Sequence, residues 1–382
     1  MLARSARSTN CDAWRAGFEV GEVLAPGNPE VVLLFCSVHY EENFPDLLEG
    51  LSEGLGQPDP RVFGCSGDAV FESDFLMPLG IAALGLNGEA AVKWAVAAVP
   101  DAGTGREAAV RCGRELAEAL GGEPDLAFVL ADSTHADGAQ VVEGAREALA
   151  CPLLGGLAGD DRRFRRSYLL ARGRAWQDAV VMLGARGALD FALHSASGFR
   201  PVGEVAQVEE SEGNEVRRIG GHTAQGFLQE QLGKTPGEGD LGVTPLALNP
   251  AGGHFLLRTA ASLDLDTGTF RAFGAVPQGA EVQACAGTAE EVLEGARQVV
   301  DRTRAACPHP AAALVISCAG RRWLLGDRFA EEARSLRQGL GGEVPLVGFC
   351  SLGEIGPFRE EPGGHSPPHF HNATVVLGLF GG

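Results

Sequence analysis

Short apolar runs closed by glycine set the rhythm of this chain, and three stretches repeat one order of signals. The first covers 31–88. Val31–Phe35 is strand-length and ends in Cys36-Ser37, and Leu47, Leu48, Leu51 and Leu55 then recur at helical spacing. Val62-Phe63 leads into Gly64-Cys65-Ser66-Gly67-Asp68, and a last strand ends at Leu84-Gly85. The second covers 126–187: Leu126–Leu130, Asp132-Ser133 at the strand end, and a helix near Gly138–Ala150. Leu153-Leu154-Gly155-Gly156-Leu157-Ala158-Gly159-Asp160 follows, then a strand ending at Gly184. The third covers 313–381: Ala313–Ser317 into Cys318-Ala319-Gly320-Arg321, a helix near Asp327–Leu340, Leu346–Glu354 with Gly348 and Gly353, and Thr374–Leu377 ending at Gly378.

Each copy therefore reads as a strand–helix–strand–strand unit. A strand, a crossover helix and a strand predict a parallel pair with the helix on one face; the orientation of the last strand stays open. The fold class expected is α/β, with layered sheets, flanking helices, three copies of the unit and additional antiparallel strands. Those extra strands fall between the second and third copies, over 188–233 and 243–285, bounded by turn residues. His222–Leu232 reads as a short helix stopped by Gly233, and Thr288 caps a long helix to about Cys307. The turn-rich Gly233–Gly242 stretch is the best boundary, giving domains over 1–235 and 240–382.

Composition narrows the function classes. The 382 residues carry 50 acidic against 31 basic side chains, a formal charge of −19. Such a surface repels phosphate backbones, so neither nucleic acid nor membrane is expected as a partner. No apolar run approaches a membrane span, and Met1–Arg15 lacks the apolar stretch of a secretory signal. Nine cysteines without a CxxC pair favour reduced thiols and a cytoplasmic location.

Ligands of α/β proteins sit where strands end in glycine loops. The third copy is the most polar at such points. Arg321 suits a carboxylate and Glu354 an ammonium, as a zwitterion would require, or the two pair with each other. Cys36, Cys65, Cys318 and Cys350, with His39, His369 or His371 as bases, offer a cysteine nucleophile as an alternative. His365, His369 and His371 lie close enough in sequence for zinc, but the Pro362–Pro368 stretch around them has an exposed-loop composition. No metal, cofactor or catalytic residue is expected.

Several of these motifs resemble one known family. Ser317-Cys318-Ala319-Gly320-Arg321, Pro345–Ile355 and Phe370–Leu377 resemble the C-terminal half of FIST domains. Phe35-Cys36-Ser37, Phe63-Gly64-Cys65-Ser66, Gly155–Asp160, Pro201-Val202-Gly203 and Gly220–Ala224 resemble the N-terminal half. The resemblance implies a sensory module in signal transduction that binds a small polar metabolite, with amino acids proposed, and a signalling protein as partner. The cysteine-dependent hydrolase or transferase stands as the alternative. On the third copy the candidate ligand-binding residues are Cys318, Gly320, Arg321, Gly348, Ser351, Glu354, His371, Asn372 and Thr374.

Overall fold

The computed structural model describes residues 1–249, 255–358, 360–361 and 364–381, so residues 362 and 363 of the Pro362–Pro368 stretch lie outside it. The strand-length runs are buried along their whole length, as in Val31–Cys36 and Ala312–Cys318. Strands covered on both faces need unbroken apolar sequence rather than alternation, which is why these runs are continuous.

The three copies are real, and each is longer than its sequence signature. In the first, edge strand Leu2–Ser8 and helix Ala13–Leu24 precede strand Val31–Cys36, helix Phe44–Leu55 and strand Val62–Ser66. A hairpin (Val70–Glu72, Phe75–Met77) and closing strand Ile81–Asn87 complete the unit. The second runs Val92–Pro100, helix Arg106–Leu120, Leu126–Ala131, helix Gly138–Ala148, Leu153–Leu157, hairpin Leu169–Ala171 with Arg174–Trp176, and Ala179–Gly187. The third has edge strand Asp190–Ala196, helix Ala289–Ala306, strand Ala312–Cys318, helices Ala319–Leu325 and Phe329–Gly339, and strand Leu346–Ser351. Its hairpin is Glu354–Pro357 with Pro368–His371, and its closing strand Val375–Gly381.

In every unit the two central strands are parallel, and the closing strand runs antiparallel between the first of them and the edge strand. The hairpin leaves its own unit. That of the first extends the third unit's sheet (Phe349 opposite Val70), that of the second extends the first's (Cys65 opposite Leu169), and that of the third extends the second's (Gly156 opposite Glu354). Three six-stranded sheets result, each finished by a neighbour.

The inner faces of the three sheets share one core, with Phe35 stacked on Phe349 at 4.7 Å and Phe128 bridging Phe63 and Phe380. Helices cover the outer faces, and glycine lets them approach closely. A Cβ on Gly17 would lie 2.0 Å from the Leu47 carbonyl oxygen, and one on Gly50 as close to that of Trp14.

The extra strands lie between the edge strand and first helix of the third unit. Ala206–Glu212, Glu215–Ile219, Thr269–Ala272, Leu256–Asp264, Pro245–Leu248 and Glu281–Ala286 pair antiparallel in that order, and the last pairs back to the first. The ring encloses Val208, Ile219, Phe270 and Val282, with Phe227 and Leu228 of helix Ala224–Leu232 in the same cluster. Strands from both sides of Gly233–Gly242 thus share this small barrel. Among the described residues, no helix is long and apolar enough to cross a membrane.

Candidate functional site

The three glycine loops meet and hold one another. Gly159 N donates to Ser66 O (2.8 Å), Asp68 N to Cys350 O (3.0 Å), and Leu157 N to Gly353 O (2.9 Å). The glycines opposite the first central strands are there for backbone approach: a Cβ on Gly64 or Gly155 would stand 1.7 Å from the facing carbonyl oxygen. Gly348 faces Val315 O in the same way, and a Cβ there would also meet the Phe71 ring.

The acid ending each loop is buried and has a different task in each copy. Asp160 accepts from the backbone N–H groups of Phe164 (2.9 Å), Arg165 (2.6 Å) and Arg166 (3.2 Å). This clamps a loop in which Asp161, Arg162 and Phe164 all take positive φ, a local strain that concentrates at functional sites. Asp68 accepts from Asp161 N, and among the described residues its Oδ2 has no partner; burial pushes its pKa up to about 6. Glu354 accepts from Ser351 Oγ and from Thr374 N and Oγ1, yet burial still pushes it up to about 7.

These contacts bring together part of the sequence-derived set. Glu354, Ser351 and Thr374 form one cluster, and the buried Cys318 thiol lies close enough to act on the Glu354 carboxylate. Arg321 does not face Glu354. It is 0% exposed and bound to Glu332 through Nη2 (2.6 Å) and Nε (3.0 Å), and it donates to the carbonyls of Ser197 and Val292. The Ser317 hydroxyl donates to the other Glu332 oxygen. Gly320 packs on the Gly242 carbonyl. The His371 ring bonds Gly356 O at 3.0 Å and is pushed down to about 3 by burial. Asn372 accepts from Thr259 N of the barrel (3.3 Å).

The cysteines of the alternative reading are buried. Desolvation holds the thiols of Cys36, Cys65, Cys318 and Cys350 well above their ordinary range, away from the reactive thiolate.

Open space lies elsewhere, and three of the clefts among the described residues share one plan. Each sits where one unit's first parallel strand gives way to its helix, beneath the hairpin of the neighbouring unit. The first unit's cleft, about 600 Å³, lies among Glu41, Phe44, Tyr168 and Arg174. The third's, about 750 Å³, carries Arg162, Arg322, Arg334, Asp74, Asp161 and Asp327. Arg322 pairs there with Asp161 (3.4 Å), and Arg162 stacks on Trp323 at 4.4 Å.

The second unit's cleft, about 350 Å³, is further closed by the barrel. Ser133, Thr134, His135 and Asp137 come from the strand end, Asn214, Phe273 and Gly274 from the barrel, and Phe164 and Phe370 from the strained loop and the donated hairpin. The Ser133 hydroxyl is buried and without a partner among the described residues. His135 is oriented by Asp132, whose Oδ2 lies 2.7 Å from Nδ1, a contact that raises the imidazole above its ordinary range. Asp132, His135 and Asp178 offer atoms close enough for a metal, but Asp132 is already bonded to Thr134, Ser167 and His135. Sequence reasoning noted Asp132-Ser133 as a strand end without assigning it a ligand. The barrel's contribution had no signal in the spacing.

A FIST N domain model matches residues 30–222 and a FIST C domain model residues 224–357. The chain belongs to the FIST family. FIST domains are sensory, ligand-binding modules. An uncharacterized protein of Mycobacterium tuberculosis is 30% identical over 230 residues, 57% of each chain. One of Methanocaldococcus jannaschii is 22% identical over 231 residues, 56% of this chain and 44% of its own. The chain thus spans about half the length of the curated relatives it matches. Among solved structures, a cyanuric acid hydrolase from A. caulinodans aligns over 100% of this chain and 99% of its own at 10% identity, with a TM-score of 0.38.

Proposed function

We propose that this FIST protein is an intracellular sensor that binds a small polar metabolite, an amino acid or a close relative, in the second unit's cleft, and passes the signal to a protein partner. The observation that carries this reading is the cleft's place and lining. Ser133 to Gly138 and Phe164 belong to the N-terminal FIST half, and Ala261, Phe273 and Gly274 to the C-terminal half. A ligand there touches both halves and the oriented His135. Polar groups of Thr134, His135, Asp137 and Asn214 converge there beside Phe164, Phe273 and Phe370, and convergent polar groups beside apolar walls are the pattern of small-molecule sites.

Thermal-shift measurement against the common amino acids and related small metabolites tests it. A ligand at one hundred times its Kd stabilises the folded state by about 2.7 kcal/mol. A261W, placing a large ring in the cleft, should abolish the shift. A shift that survives A261W, or a full panel without any shift, overturns the reading.

A further inference from the structure

Among the described residues two arginines are buried, and only one has a counter-ion. Arg321 has Glu332. Arg258, 4% exposed on barrel strand Leu256–Asp264, is held by carbonyl oxygens alone. Its Nε donates to Ala275 O (3.2 Å), and its Nη1 to Leu257 O (2.9 Å) and Phe370 O (3.1 Å). Among the described residues Nη2 has no hydrogen-bond partner and no carboxylate stands within ion-pair distance. Asp137 acts on the guanidinium only from farther off, and burial pushes its pKa down to about 10.

Buried charges are ordinarily paired, because removing an ion from water without a partner is costly. The exception here borders the cleft. The guanidinium lies over the Phe370 ring, 5.5 Å from its centroid. Gly274, at φ +114, separates them from the cleft by bare backbone: a Cβ there would stand 3.1 Å from Arg258 Nε and 3.0 Å from Phe370. Phe370, Gly274 and Asp137 all line the cleft. A side chain at 274 would fill the approach to the one buried arginine that, among the described residues, lacks a counter-ion.

We infer that Arg258 is an anion receptor, and that the ligand of this cleft is a small organic carboxylate whose carboxyl group docks on the guanidinium while its body lies among Phe164, Phe273 and Phe370. This rests on the cleft being the ligand site. It moves the carboxylate-binding role that the sequence suggested for Arg321 to an arginine on the barrel. With Nε and Nη1 taken up by carbonyls, the N–H groups of Nη2 supply the charge-assisted contact to the carboxylate, and His135 supplies a second donor at the cleft.

The test uses the full chain with acetate and benzoate, their neutral amides, and inorganic phosphate, against sodium chloride at equal ionic strength. The carboxylates should raise the parent's melting temperature and the amides should not. R258M should weaken carboxylate binding at least tenfold by calorimetry while its unliganded melting temperature stays level or rises, since an unpaired charge has been removed. R258K keeps the charge without the fork; it should fold and still weaken binding, which keeps the inference falsifiable if R258M does not fold. Equal shifts with acids and amides, no carboxylate shift at tens of millimolar, a larger response to phosphate, or unchanged binding in R258M or R258K overturns it. Loss of carboxylate binding in A261W with R258M unaffected leaves the cleft standing and removes Arg258. Loss in R258M with A261W unaffected refutes the cleft.

Discussion

Removing Glu332 isolates what Arg321 does. In E332A the guanidinium would remain 0% exposed with only the Ser197 and Val292 carbonyls as acceptors, and the Ser317 hydroxyl would lose its partner. Breaking a buried ion pair by deleting one member costs about 3–5 kcal/mol, and an orphaned hydroxyl adds about 1 kcal/mol. In a chain this long each kcal/mol moves the melting temperature by roughly 2 °C, so E332A should melt about 8–12 °C below the parent by differential scanning calorimetry. R321M/E332L removes both charges and keeps the volume, an exchange that is often neutral or better. It should return to within a few degrees of the parent and keep any ligand response. If E332A melts with the parent, or the double variant is no more stable than the single one, the account of Arg321 as a neutralised structural post is wrong.

Two further outcomes come from the loop acids. Glu354 at about 7 and Asp68 at about 6 both lie above their ordinary 4.5 and 3.8, so between these values the folded chain binds more protons than the unfolded one. Their stabilisation is complete below about pH 4 and lost as the pH rises through 7; E354Q should flatten the fall in denaturant midpoint between pH 5 and 8, which for this group is on the order of 2–3 kcal/mol, and an unchanged slope would refute the assignment. D160N leaves one acceptor oxygen for three backbone donors, so tryptic cleavage within Arg162–Arg166 should quicken roughly ten- to hundredfold for about 1.5–3 kcal/mol of lost loop stability, and equal cleavage rates would show that Asp160 does not hold the loop.

How much was legible follows from which positions carry an unambiguous pattern. The central strands were, because burial on both faces forces runs such as Val31–Cys36. So were the glycines, where any side chain meets a carbonyl. Thr288 was readable as a helix start and is seen capping with Glu291. The leading strand and helix of each unit were not. Leu2–Ser8 is an edge strand with mostly polar and small residues, and helix Ala13–Leu24 packs through Gly17, which sequence patterns score as a breaker. Strand pairing between units has no local signature, so the exchanged hairpins were invisible. The site suffered from the same gap. Cys318, Ser351, Glu354 and Thr374 do lie together, but whether a polar strand end faces a cleft or a buried neighbour depends on packing far along the chain, as Glu332 does for Arg321 and the barrel for Ser133.

The circular exchange of hairpins has a consequence for how the molecule comes into being. Every sheet waits for a neighbour, and the longest wait belongs to the hairpin Val70–Met77, whose Val70–Glu72 edge has no sheet to join until Leu346–Ser351 has been synthesised and folded. During that interval its strand edges are open to other chains. An isolated unit would keep the same open edge permanently, so neither family half is expected to behave as a well-mannered protein when cut from the other, and two chains folding side by side have a ready means of trading hairpins with each other instead of within themselves.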